Sequence, residues 1–186
     1  MDRTANTRRT ARRSTCGFTL VEMCVGLGIG ATLLGQAVPV MTQLHQQQKL
    51  RARADALASD LRFARSEATR MSSPVYFRIS GKGAQACYVL YTGTKDDCDC
   101  AGAEAVCKTT DSAILKAEWL PASEPLRISS NAETLQFQQR QGLVTQTGSV
   151  EISLNGGPGI RQVVAITGRV RSCSTAGKLP GLSRCA

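Results

Sequence analysis

At 186 residues, with 42% hydrophobic but only 4% aromatic side chains, the chain has room for one modest core with appendages rather than several domains. Eight cysteines, beside a basic start and a long apolar run, argue for export to an oxidising compartment and against residence in the cytosol. The net charge of +9 is uneven: residues 1–17 hold five arginines against Asp2, residues 18–160 hold 13 basic and 13 acidic groups, and residues 161–186 hold five basic groups and no acid.

The first predicted element is a membrane-length helix. Residues 18–41 contain one charge, Glu22, and 24 residues at about 1.5 Å each are enough to cross a hydrocarbon core of about 30 Å. Arg3, Arg8, Arg9, Arg12 and Arg13 in front of the run hold that end in the cytoplasm and send the remainder outward. A secretory signal peptide cut at Gly35-Gln36-Ala37 would discard the run, but a carboxylate inside its apolar core argues against that reading. A cut between Gly17 and Phe18 would instead keep the run. It would also free an α-amino group on Phe18, on the same helical face as Glu22 four residues on. Gly26, Gly28 and Gly30 have no strand before them, so they read as close helix packing and not as a nucleotide-binding loop.

The stretch Gly17-Phe18-Thr19-Leu20-Val21-Glu22 resembles the processing site of type IV prepilins and type II secretion pseudopilins. The resemblance implies that residues 1–17 are a leader removed by a membrane prepilin peptidase and that Phe18 becomes the N-methylated terminus. Glu22 would then pair with the terminus of a neighbouring subunit during filament assembly. Pro39 matches the family's helix-kinking proline. The partners so implied are the inner membrane before assembly and major and minor pilins after it, with the head in the periplasm and then on a pilus or pseudopilus.

Beyond the span, Leu57, Leu61, Ala64, Ala68 and Met71 recur at steps of 4, 3, 4 and 3, which makes residues 42–73 the amphipathic part of the same helix. Ser72-Ser73-Pro74 ends it, because the residue before a proline is pushed out of the helical region. His45, the only histidine, lies among glutamines on that helix and leaves no Ser-His-Asp or Cys-His constellation; neither an enzyme nor a cofactor is expected. After Pro74, short β-like runs separated by Gly, Pro, Ser and Asn predict strands over 75–80, 87–92, 114–119, 126–129, 134–138, 150–154, 162–167 and 170–172. The predicted class is α+β, a long N-terminal helix packed by its stripe against a β-rich head of residues 74–186. The phrase LASDLRFARSEATRMSSPVYF resembles the helix-to-strand junction of FimT/GspH-type minor pilins and pseudopilins.

With Cys16 in the leader and Cys24 in the apolar run, six cysteines remain for the head. Cys173 and Cys185 are expected to close a terminal loop, worth about 3 kcal/mol in the chain-entropy picture. Cys87, Cys98, Cys100 and Cys107 allow three connectivities that spacing does not separate. A CxC spacing without a C-x-x-C pair, in an oxidising compartment, disfavours zinc, so no metal is expected.

The last predicted element is a hairpin in QVVAITGRVRSCS: Gln162 to Ile166 as a strand, a turn at Thr167-Gly168, then Arg169-Val170-Arg171 extended. A period of two sets Arg169 and Arg171 side by side with Val170 facing inward. Arginines on an edge strand can serve merely to block sheet-to-sheet aggregation. Five cations without an acid, Arg161, Arg169, Arg171, Lys178 and Arg184, instead form an electrostatic footprint for a polyanion. Gly168-Arg169-Val170-Arg171 also resembles the GRxR motif of FimT-like minor pilins that bind DNA during natural transformation. The resemblance implies capture of the DNA phosphate backbone by this tail, and the scarcity of aromatics argues against base stacking. The alternative is a structural minor pilin or pseudopilin of the GspH type, at the tip of a pilus or secretion filament, that touches only protein partners.

Overall fold

A computed structural model describes residues 17, 19–81, 86–176 and 179–185. The chain divides into two compact units, Met1–Gln43 and Leu44–Ala186, and a single helix, α1 (Leu20–Met71), begins in the first and ends in the second. At its start the Thr19 hydroxyl accepts the Glu22 backbone N–H at 3.2 Å, satisfying one of the donors that a helix N-terminus leaves unpaired. In the first unit the residues of α1 are exposed apart from the half-buried Gly30, and none of its most apolar stretch is buried. This stretch is long and apolar enough to cross a membrane. Pro39 lies inside it and lacks the N–H that would bond the Gly35 carbonyl one turn back.

In the second unit, α1 buries Leu50, Ala54, Leu57, Ala58, Leu61, Ala64 and Ala68 along one stripe. Met71, expected to continue the stripe, is instead 38% exposed. It is the last helical residue, and Ser72 turns the chain with φ 51° two residues before Pro74. Among the described residues ten strands follow: β1 (Val75–Ser80), β2 (Cys87–Thr92), β3 (Cys98–Asp99), β4 (Val106–Cys107), β5 (Ala113–Trp119), β6 (Leu126–Ser130), β7 (Thr134–Phe137), β8 (Gly148–Leu154), β9 (Gly159–Val164) and β10 (Val170–Ser174). They form two four-stranded antiparallel sheets, in the orders β5-β2-β1-β7 and β10-β9-β8-β6, and a small β3-β4 ribbon. The architecture is α+β, as the pattern of elements predicts.

Both sheets give one face to the helix stripe. Val75, Phe77, Tyr88 and Leu90 of the first sheet, and Val150, Ile152, Ile160, Val164 and Val170 of the second, join Leu50 to Ala68 in one core. Buried polar groups pin each sheet to the helix. Asp60 of α1 accepts from the Tyr88 hydroxyl at 2.6 Å and from the Lys116 ammonium at 2.8 Å, and the fully buried Gln162 donates its amide to the Ala54 carbonyl at 3.0 Å. The other face of the first sheet is also covered. Tyr76, Cys87, Val89 and Tyr91 form a second cluster with Cys98 and Cys100, beneath the β3-β4 ribbon that no periodicity signalled.

Candidate functional site

The basic hairpin is built by β9 and β10, with Val170 opposite Val164, Arg171 opposite Val163 and Ser172 opposite Gln162. Its turn covers residues 165–168, somewhat earlier than the sequence suggests: the Ala165 N–H donates to the Arg169 carbonyl at 3.0 Å, and the Gly168 N–H to the Ala165 carbonyl at 2.8 Å. Gly168 is buried with φ +71°, and a Cβ there would stand 2.1 Å from the Gly142 carbonyl oxygen. Only glycine meets both demands. The turn thus sits directly against the β7–β8 loop, and the Val144 N–H reinforces the contact by donating to the Ile166 carbonyl at 2.9 Å.

Immediately after the turn, Arg169 and Arg171 are exposed while Val170 is buried in the core. Strand alternation and an apolar anchor between them hold both guanidinium groups on the outside of an edge strand. The tail is then folded back. Cys173 is bonded to Cys185, the Ser174 N–H donates to the Ser183 carbonyl at 2.8 Å, and the Cys185 N–H donates to the Ser174 carbonyl at 3.0 Å. These bonds place the exposed Arg184 in a parallel bridge with Ser174, at the far end of β10. The Arg51 guanidinium, on α1, donates to the Pro180 carbonyl and ties the closed loop to the helix.

Arg161 departs from the expectation of a free cation. The register sets it opposite Glu151 on β8, and its guanidinium binds the Glu151 carboxylate at 2.9 and 3.2 Å; the Thr175 hydroxyl takes the other oxygen at 2.7 Å. Glu151 is also the only acid in residues 134–186, which hold six basic groups. The single neutralising carboxylate of this half of the head is therefore spent on Arg161. Among the described residues no ion pair includes Arg169, Arg171 or Arg184. Lys178 lies outside the described residues.

Arg65 is a neighbour of this site that its place on a helix does not announce. Its Cδ and Nε would both lie 3.0 Å from a Cβ on Gly168, and its Cγ 2.6 Å from one on Gly142.

The four cysteines with open connectivity pair as Cys87–Cys100 and Cys98–Cys107. Asp97, Cys98 and Cys107 bring potential ligand atoms within 4.8 Å of one another, but the two sulfurs are bonded to each other and offer no thiolate. Asp97 accepts instead from the Thr109 hydroxyl at 2.7 Å. At the other end of the chain Gly17 and Glu22 are exposed, Glu22 in the first turn of α1, while Phe18 lies outside the described residues. His45 is exposed on the helix, and among the described residues its imidazole makes no hydrogen bond.

Comparison with solved structures finds the type IV minor pilin FimU of Pseudomonas aeruginosa, at 18% identity and a TM-score of 0.49, covering 67% of this chain and 87% of that one. It also finds the minor pseudopilin EpsH of the type 2 secretion system of Vibrio cholerae, at 17% identity and a TM-score of 0.45, covering 67% of this chain and 96% of that one. Comparison with curated proteins finds no match. The family model described as type II transport protein GspH matches residues 53–168, from the amphipathic half of α1 to the glycine of the β9–β10 turn. The chain belongs to the family described as type II transport protein GspH, a family of structural and not enzymatic proteins.

Proposed function

We propose that this chain is a minor pilin that captures extracellular duplex DNA through the β9–β10 hairpin, for inward transport in natural transformation. The observation that carries the reading is the pair Arg169 and Arg171, exposed on both sides of a buried Val170 and, among the described residues, in no ion pair, in a half-head whose only acidic side chain is already paired. Guanidinium groups fixed on the outside of an edge strand contact phosphates, release counterions and read no sequence. Arg184, at the other end of β10, lengthens the phosphate track, and Arg161 contributes nothing to it while bound to Glu151. Before assembly the protein is a single-pass inner-membrane protein with its head in the periplasm. Prepilin peptidase cuts after Gly17 and methylates Phe18, and Glu22 docks the helix among major and minor pilins.

Genetic complementation tests the DNA reading. In a deletion strain, the wild-type chain restores DNA uptake and R169A/R171A does not, with pili and secretion intact in both. Normal uptake with the double variant contradicts the proposal. The family's description as type II transport favours a second reading, a structural pseudopilin with protein partners only. It predicts a defect in secretion or filament assembly on deletion and no loss of uptake. Mass analysis of the mature N-terminus checks the processing step: methylated Phe18 agrees, and a chain starting at Val38 overturns it.

A further inference from the structure

The cationic surface does not end with the hairpin. Gly168 and Gly142 both have positive φ, +71° and +61°, and neither has space for a side chain: the Arg65 stem of α1 lies against both, and at Gly168 the Gly142 carbonyl oxygen stands closer still. The Arg65 stem lies over the two glycines with its Nε beside the turn that leads into Arg169. An arginine stem needs apolar or backbone surface to lie on, and two adjacent glycines provide it while the charge is carried to the rim.

Local packing alone does not call for a charge there. On α1 the positions three and four away from Arg65 are Leu61, Arg62, Ala68 and Thr69, so no acid supports it and one neighbour repels it. No hydrogen bond or ion pair engages Arg65 among the described residues. By contrast Arg53, Arg70 and Arg78 each bind a carboxylate. The loop that supplies Gly142 adds the exposed Arg140, the only charge between Glu133 and Glu151.

We infer that Arg65 is a further phosphate-binding residue, which extends the DNA surface from the β9–β10 hairpin onto α1 across the Gly142–Gly168 notch. The inference rests on the DNA reading above and adds a second element to it. A rod-like polyanion then meets cations from two elements locked together by one turn, so the contacts are preorganised and lose little freedom on binding.

The test uses the full-length chain in non-ionic detergent with a fluorescent duplex, titrated across salt. R65M keeps an unbranched stem over the glycines and removes the charge; R65K keeps the charge. R65M is expected to melt with the wild type, to bind several-fold more weakly, and to lower the magnitude of the log affinity against log salt slope by about one, while R65K keeps the slope. In the wild-type chain, where no substitution can disturb folding, duplex DNA is expected to protect Arg65 from phenylglyoxal along with Arg169 and Arg171, and to leave Arg127 on β6 reactive. An R65M chain with wild-type affinity and slope, or equal Arg65 modification with and without DNA, overturns the inference, provided that R169A/R171A still weakens binding. A wild-type chain that binds no DNA overturns the DNA reading itself and this inference with it.

Discussion

At the scale of single residues, the hairpin depends on Gly168 more than on its arginines. A Cβ at this position collides with backbone, the Gly142 oxygen, as well as with the Arg65 stem, and the left-handed φ penalises any side chain further. Gly168→Ala is therefore expected to cost about 1–3 kcal/mol of stability, read as a lower denaturant midpoint in the full chain. R169A/R171A should leave the stability within about 0.5 kcal/mol of wild type, because both side chains are exposed and, among the described residues, in no ion pair. Gln162 shows what sequence does and does not reveal at this scale. Period two in β9 places it inward, yet nothing local names the Ala54 carbonyl 108 positions away as the acceptor of its amide. Its other end accepts the Ser172 hydroxyl at 2.6 Å, so a buried amide is satisfied on both sides and joins β9, β10 and α1.

At the scale of elements, the α1 stripe was legible because a helix buried on one side repeats its apolar residues at fixed intervals. Leu57, Leu61, Ala64 and Ala68 all lie in the core. The stripe reaches back to Leu50, where glutamines dilute the pattern, and stops short of Met71, where the helix runs out. Leu61→Ala should accordingly cost about 2–5 kcal/mol and Met71→Ala less than about 1 kcal/mol in equilibrium unfolding. Strands β1 and β2 were readable from β-branched and aromatic runs bounded by turn residues. The β3-β4 ribbon was not, since two-residue strands carry no period, although the unbroken apolar run Cys87–Leu90 needs cover on both faces.

Acid groups around that ribbon set a pH dependence. The Thr134 hydroxyl, 2.6 Å from Asp96, holds its carboxyl below the usual carboxylate range; partial burial pushes the other way, and Arg78 at 2.7 Å adds to the lowering. Hydrogen bonds from Ser112 and Thr109 lower Asp97 likewise. A carboxyl lowered on folding stabilises the fold above its unfolded pKa of about 4, and that contribution is lost as pH falls through the folded value. Denaturant midpoints should therefore drop below about pH 4, and Asp96→Asn should flatten that decline. An unchanged acid limb in this variant contradicts the assignment. On the alkaline side, the hydrogen bond to Asp60 raises Lys116, against burial that lowers it, and burial first and then the Asp60 bond raises Tyr88. Both contributions are complete below about pH 10 and fade as pH rises through the folded values.

At the scale of the molecule, the apolar and the basic segments lie at opposite ends of the chain. The apolar stretch of α1 carries one charge near its start, and beyond residue 17 the excess of basic over acidic side chains falls in residues 161–186. The family match stops at Gly168, one residue before Arg169, so the shared fold supplies the turn and the cationic strand lies beyond the matched stretch. The charge imbalance was visible in the sequence. That Arg161 is neutralised was not, because only the β8–β9 register brings Glu151 across from it.

The central claim is that the exposed guanidinium groups of Arg169, just before β10, and Arg171, on it, bind phosphate. The most direct measurement is the affinity of the full-length chain for a labelled duplex of unrelated sequences, from about 50 to 200 mM salt, for the wild type and R169A/R171A. A log affinity that falls linearly with log salt in the wild type, alike for every sequence, and a slope smaller in magnitude by about two in the double variant is the expected result. The same affinity and slope in both proteins would contradict it.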